Sequence, residues 1–372
     1  MSTETFPTSR TATENTESLT LITGGAGFIG TNLADRLLSE GRPVRIFDNL
    51  SRVGVEHNLA WLQAKHRDGL EFIRGDIRDA GAVAEAVRGV SHVYHFAAQV
   101  AVTTSLIDPV EDFEINARGT LNLLEAIRLS DERPSLVFTS TNKVYGHLDD
   151  VKLTTLGGRY LPADPACRLG FGEDRVPDFH SPYGCSKGAA DQYVLDYART
   201  FGLAATVFRM SCIYGPHQCG NEDQGWVAHF LLSALTDQPI TLYGDGCQVR
   251  DVLYVDDLMD ALQLARRRID SLSGKAFNIG GGPQRTTSLI ELMSLIEEFN
   301  GSAPKIEFSK WRAADQRYYV SDISRFSRAT GWSPRVGVRE GVALLYQWLC
   351  EFHASRMNNG AGAALETAMR VA

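Results

Sequence analysis

Apolar and polar positions along the chain alternate between two rhythms. Leu19-Thr-Leu-Ile-Thr23 is a short apolar, β-branched run that stops at Gly24-Gly25-Ala26-Gly27, and Phe28 to Leu38 then carries Ile29, Leu33 and Leu37 at helical spacing. Val44 to Asp48, Leu70 to Arg74 and Val90 to Phe96 predict further strands, with an Ala/Val-rich helix over Ala80 to Val87. Leu121 to Ile127 reads as another helix and Ser135 to Ser140 as a buried strand. Strands alternating with helices predict right-handed βαβ units, and so an α/β fold with a doubly wound parallel sheet.

From His147 to Ser181 the rhythm lapses into a Gly-, Pro- and Asp-rich stretch too long for an ordinary connection, which predicts a functional loop or lid. A long helix follows over Gly184 to Phe201, then a strand over Ala204 to Phe208. After Gly215-Pro216 the spacing changes, with helical patterns near Val227–Leu235, Ser288–Phe299 and Arg339–Phe352. These expectations divide the chain into a first domain over 19–216 and a smaller mixed α/β second domain over 217–353. Val249 to Leu258 is a candidate to return to the first. Residues 1–18 and 354–372 read as loose tails.

The 372 residues carry 37 Lys+Arg against 45 Asp+Glu, a net charge of −8. That acidity argues against nucleic acid, while leaving room for a local basic pocket. Six cysteines without Cys-x-x-Cys spacing do not form a disulfide framework, so a cytoplasmic location is expected. No apolar run approaches the ~20 residues of a membrane helix, and the first eighteen residues lack the apolar stretch of a signal peptide. No His, Cys or carboxylate spacing predicts a metal site.

Gly24-x-x-Gly27-x-x-Gly30 lies between the first strand and its helix, where glycines permit a tight turn, close approach of a pyrophosphate and close helix–sheet packing. This is the dinucleotide fingerprint of a Rossmann-type sheet. Asp48 ends the next strand, placed to accept hydrogen bonds from ribose hydroxyls and to repel a 2′-phosphate, which favours NAD over NADP; Arg52 nearby argues the other way. Asp76 fits an adenine contact or, equally, a helix N-cap ahead of Ala80. Small residues at Ala97 and Ala98 let a cofactor lie against the backbone.

Tyr183-x-x-x-Lys187 opens the long helix with both side chains on one face. An ammonium near the phenol, and a cationic nicotinamide, would lower its pKa from ~10 and make it a proton carrier near neutral pH. Thr141, at the end of a strand, is placed to hold the reacting oxygen.

Together with Asn116-Ala-Arg-Gly119, Val144-Tyr145-Gly146, Ser181-Pro-Tyr-Gly184 and Arg209-Met-Ser-Cys-Ile-Tyr-Gly-Pro216, these features resemble the extended short-chain dehydrogenase/reductase family, the nucleotide-sugar epimerases and dehydratases. The resemblance covers Leu19 to Phe352. It implies Thr141, Tyr183 and Lys187 as the catalytic set. For NAD it implies the glycine turn with Phe28 and Ile29, the Asp48-Asn49 loop with Ser51 and Arg52, and Asp76-Ile77. Ala97, Ala98, Gln99, Asn116, Thr139 and Met210 belong to the same set, joined by Tyr183 and Lys187. For a nucleotide-diphosphate sugar it implies Thr141, Asn142, Gln224, Trp226, Arg250, Arg312 and Asp315. A homodimer or homotetramer and a place in polysaccharide biosynthesis are implied by analogy alone.

Finer motifs, among them Ser140-Thr-Asn-Lys-Val-Tyr-Gly146, Asn221 to His229 and Asp315 to Asp322, are similar to a subgroup that inverts C2 of the sugar, with C4 as the alternative. Dehydratases of the family carry an Asp and a Glu directly after the catalytic Ser/Thr. Asn142 and Lys143 stand there instead, so oxidation to a ketone is expected to be followed only by return of the hydride. A non-catalytic dinucleotide sensor is the weaker reading, because all three catalytic positions are filled.

Overall fold

The structure, a computed structural model, describes residues 18–358 apart from 219, 222, 313 and 314. Its centre is a seven-stranded sheet: β1 (Thr20–Thr23), β2 (Val44–Asp48), β3 (Leu70–Arg74), β4 (His92–His95), β5 (Ser135–Thr141), β6 (Ala205–Met210) and β7 (Ala276–Ile279), in the order β7-β6-β5-β4-β1-β2-β3. All six pairings are parallel. The order reverses between β4 and β1, and the crevice beyond the carboxyl ends of those two strands is where such sheets bind ligands.

Alternation along the strands explains why both faces are covered. Ile22, Ile46, Tyr94, Val137 and Phe208 pack into one core with Leu33 and Leu37, and their neighbours Leu21, Phe47, Val93, Leu136 and Val207 pack into another on the opposite face. Tight glycine contacts set the first turn. Gly24 has φ +68°, and a Cβ there would lie 2.7 Å from the Ala97 nitrogen; a Cβ on Gly30 would meet the Gly24 carbonyl oxygen at 2.5 Å.

Beyond Pro216 a third core forms around Leu231, Leu242, Val252, Leu292 and Leu345. Its axis is the strand Val249–Tyr254, parallel to Cys212–Tyr214 and Tyr318–Tyr319 and antiparallel to Thr286–Ser288. That strand stays outside the large sheet. The helix Val255–Arg267 that follows does reach it, through Val255, Leu258 and Met259, and β7 then joins the sheet edge beside β6. The last helix runs from Val338 to Asn358, past the expected start of a tail at Ala354. Residues 1–17 and 359–372, which carry the rest of the expected tails, lie outside the described residues.

A helix over Val55–Lys65 has no counterpart in the pattern reading. Its apolar stripe is thin, with Val55, Leu59 and Leu62 buried between polar residues, so periodicity alone is a weak signal there. No helix among the described residues is long and apolar enough to cross a membrane.

Candidate active site

Two cavities meet at the carboxyl ends of the strands and share Phe28, Ile29, Phe96, Ala98 and Gln224 in their walls. The smaller, about 210 Å³, is lined by Gly24, Gly27, Phe28, Ile29, Gly30, Asp48, Asn49, Ser51, Arg52, Asp76, Ile77, Ala97 and Ala98. The larger, about 360 Å³, is lined by Thr139, Thr141, Asn142, Tyr183, Lys187, Met210, Gln224, Trp226, Arg250, Arg312 and Asp315. Residues scattered over the first and second parts of the sequence thus converge on one cleft.

Gln99 and Asn116 line neither cavity. They clamp each other instead: the Gln99 N–H donates to Asn116 Oδ1 at 2.9 Å, and Asn116 Nδ2 donates to the Gln99 carbonyl at 3.0 Å and to Ser186 Oγ at 3.1 Å. Asn116 sits in a π-helical turn, Glu114–Arg118, which turns its amide inward toward the long helix. Asp112 completes this buried network by accepting from Ser186, Asn116 and Gln99.

The long helix begins at Ser181, two residues before Tyr183, and Pro182 fits its first turn. Tyr183 is buried and faces the Thr141 hydroxyl across the cavity wall. One turn on, Lys187 Nζ donates to the Thr139 carbonyl at 2.7 Å and lies 4.3 Å from the centre of the Phe138 ring. Burial pushes the Tyr183 phenol up to about 12, which the nearby Thr141 hydroxyl only partly offsets. Burial likewise pushes Lys187 down to about 7, although Asp191 and Asp112 favour its charge. The expected ammonium-lowered phenol is therefore absent from the chain alone. Desolvation dominates at the phenol, so a positive charge close to it is needed to draw out the phenolate.

Asp48 accepts from the backbone N–H groups of Leu50 at 2.9 Å and Ala26 at 3.1 Å, tying the second strand's end to the glycine turn. Asp76 is not an N-cap. That role belongs to Asp79, which accepts from Gly81 and Ala82, whereas Asp76 is held well below the usual carboxylate range by Arg78 and also accepts from Asn49.

In the larger cavity Arg250 donates to Asp315 at 2.7 Å, and Arg312 pairs with Asp223 at 3.1 Å while its guanidinium lies 3.7 Å from the centre of the Tyr243 ring. Asp315 thus orients an arginine rather than standing by itself. Trp226 donates through its indole to Cys212 Sγ at 3.5 Å.

The segment expected to be a lid lines neither cavity. It folds into a hairpin, Leu153–Leu156 with Arg159–Pro162, which the Tyr160 N–H anchors to the Cys247 carbonyl and Arg159 to Glu291 and Thr286. Composition revealed its irregularity and could not reveal which surface it packs on.

Sequence reasoning missed Asn58, Lys143, Gln218, Tyr243 and Gln248 in the cavity walls. Asn58 lies on the unrecognised helix and donates to the Ala26 and His217 carbonyls, joining the glycine turn to the loop that carries Gln218. Only Lys143 had a usable signal, its place two residues after Thr141.

A model of the NAD-dependent epimerase/dehydratase family matches residues 20–280. The chain belongs to that family. A CDP-paratose 2-epimerase of Salmonella typhi is 44% identical over 335 residues, 88% of this chain and 98% of the relative. The UDP-glucose 4-epimerase of Thermus thermophilus, solved in complex with NAD, matches at 34% identity with a TM-score of 0.74, covering 89% of this chain and 99% of that one. The UDP-glucose 4-epimerase of Thermotoga maritima, solved with UDP-glucose, matches at 31% identity with a TM-score of 0.77, covering 90% and 99%.

Like the rest of the family, the chain is an NAD-dependent enzyme, and its smaller cavity fits the dinucleotide. The glycine turn packs tightly on its own helix and on the end of β4, because a Cβ on Gly24 or Gly30 would collide with backbone there, and this keeps the turn's backbone at the wall of the cavity. The helix Phe28–Ser39 starts there with no side chain capping its N-terminus, leaving first-turn N–H groups for a pyrophosphate. Two backbone donors use only part of the Asp48 carboxylate's accepting capacity, so ribose hydroxyls can share it. Asp48→Ser is expected to weaken NAD binding and to relax discrimination against NADP. Equilibrium titration of both cofactors checks this, and NADP binding more tightly than NAD to the unmodified chain would refute it.

Proposed function

We propose that this chain inverts C2 of a CDP-linked sugar related to CDP-paratose. The relative from Salmonella typhi supports the carbon and the nucleotide. The observation that carries epimerisation over dehydration is the pair Asn142 and Lys143, both in the wall of the larger cavity beside Thr141. An amide cannot protonate a leaving hydroxyl. Burial pushes Lys143 down to about 8, so near neutral pH it is mostly ammonium. The carboxylates in that wall, Asp223 and Asp315, are each paired with an arginine.

NAD, which the glycine turn and Asp48 would hold, would supply hydride transfer and the positive charge of an oxidised ring near the buried phenol. Thr141 holds the sugar hydroxyl while Tyr183 takes its proton and later restores it. Lys187 is fixed by the Thr139 carbonyl on the same side of the cleft. Among the described residues, the larger cavity presents four cations (Lys143, Lys187, Arg250, Arg312) against two carboxylates, a positive site on a chain of charge −8 that suits a diphosphate. With the diphosphate held, the ketone sugar can turn its other face without leaving.

Turnover in heavy water tests the reading. Product inverted at C2, with no solvent deuterium on carbon and with deuterium previously placed at C2 retained, is expected. Inversion at C4 would replace it by the 4-epimerase reading that the two solved neighbours favour. Solvent deuterium at C5 or C6 with loss of water would overturn epimerisation.

We further infer a homodimer or homotetramer in a reducing cytoplasm. The short helices Val102–Ile107 and Pro109–Phe113 pack beside the catalytic helix and expose Ile107, Val110 and Phe113, with Val110 70% exposed. A second copy covering this patch is expected, and Val110→Lys should shift the sedimenting species to monomer. An unmodified chain that sediments as a monomer would remove the inference.

A further inference from the structure

Lys143 is the fourth cation of the larger cavity, and the reaction as described gives it no role. It lies in the 3₁₀ turn Asn142–Tyr145 that ends β5, and its own N–H donates to Thr141 Oγ1 at 3.3 Å. The backbone that carries its side chain is therefore fixed relative to the Thr141 hydroxyl. The Nζ atom donates to Gln316 Oε1 at 3.3 Å. Gln316 is buried, donates through Nε2 to the Gly146 carbonyl at 2.6 Å, and accepts from Arg250 on its main-chain oxygen. One buried glutamine thus brackets Lys143 and the diphosphate-side Arg250 into a single cationic wall, ending beside Thr141.

The chemistry of the sugar gives this wall a meaning. C2 is separated from the glycosyl phosphorus only by the anomeric carbon and its oxygen, whereas C4 lies across the ring. A sugar presenting C2 to Tyr183 and Thr141 must bring its glycosyl phosphate close to both, and a sugar presenting C4 carries that phosphate away. We propose that Lys143 binds the sugar-bearing phosphate of the nucleotide diphosphate beside Thr141 and thereby seats C2, rather than C4, against Tyr183.

The proposal rests on the C2 reading above and adds the residue that enforces it. An ammonium carries three N–H donors on a rotatable bond, so it can turn one to a phosphate oxygen in a charge-assisted bond while Gln316 keeps another. The repulsion between Lys143 and Arg250 would be relieved by an anion bridging them.

The test uses the full NAD-loaded chain with Lys143→Met and Lys143→Arg. Titrations compare CDP with CMP, or UDP with UMP if the unmodified chain prefers uridine. The monophosphate lacks the phosphate in question. Lys143→Met is expected to weaken diphosphate binding about 10- to 100-fold while changing monophosphate binding less than about 2-fold, with Lys143→Arg keeping most of the affinity. Monophosphate affinity also reports whether each variant folds. Lys143→Gln is the uncharged substitute should Lys143→Met fail to fold.

Equal losses for both ligands, or no loss for either, would overturn the phosphate contact even if the product is inverted at C2. Inversion at C4 by the unmodified chain would overturn the seating role and the C2 reading together, whatever the affinities.

Discussion

Tyr183→Phe is expected to lower turnover by about 10²–10⁴-fold while NAD stays bound. The substitution removes the phenolic oxygen and keeps the ring, so the buried position stays filled. Cofactor binding should survive because the glycine turn and Asp48 line the other cavity. The pH profile separates this from a general packing defect. In the chain alone the phenol stands at about 12 and is protonated at any ordinary pH. Proton abstraction by the NAD-loaded enzyme should therefore quicken as pH rises toward the phenol's value in that state, and this rising limb should vanish in Tyr183→Phe. Near-normal turnover, or an unchanged limb, would remove Tyr183 from the chemistry.

Asp191→Ala is expected to cost about 3–5 kcal/mol of stability. Asp191 lies one turn beyond Lys187 on the long helix, is fully buried, and accepts two hydrogen bonds of 2.9 Å from Arg209 on β6. Arg209 is buried as well, and donates also to the Tyr145 hydroxyl at 3.2 Å. Removing the carboxylate leaves a guanidinium in a dry interior, which costs more than the ion pair itself contributes. Replacing both partners, as Asp191→Leu with Arg209→Met, should therefore be clearly less destabilising than Asp191→Ala. Thermal and denaturant unfolding of the three chains measure this. A double variant no more stable than Asp191→Ala would show that the cost lies in packing rather than in an unpaired charge. Because Asp191 also favours the charged form of Lys187, residual activity in Asp191→Ala should require a lower pH to keep that ammonium protonated.

Much of the site was legible because its signals are local. The strand–glycine–helix unit around Gly24, the acidic end of β2 at Asp48 and the Tyr183/Lys187 spacing each occupy one short stretch, and backbone geometry within that stretch sets their chemistry. The roles of Gln99 and Asn116 were not legible in the same way. Each contributes to a network that includes Asp112 and Ser186, distant in sequence, and only packing turns their amides toward one another and away from the cavities. The cap ahead of Ala80 is different, because Asp79 directly precedes the helix and its adjacency was a local signal that the reading of Asp76 passed over.

The sequence by itself determined the parallel α/β sheet and the strand–glycine–helix turn, and it marked Thr141, Tyr183 and Lys187 as the candidate catalytic residues. Hydrophobic period, glycine placement and helical spacing are properties of neighbouring residues, and they act before distant parts of the chain meet. Tertiary structure alone decided which cations share the wall of the larger cavity, where the 147–180 segment packs, and that β7 rather than Val249–Tyr254 completes the sheet. It also set the direction in which the proton affinities of Tyr183 and Lys187 move. Desolvation is a property of the assembled interior, and here it raises Tyr183 and lowers Lys187 against what their spacing predicts.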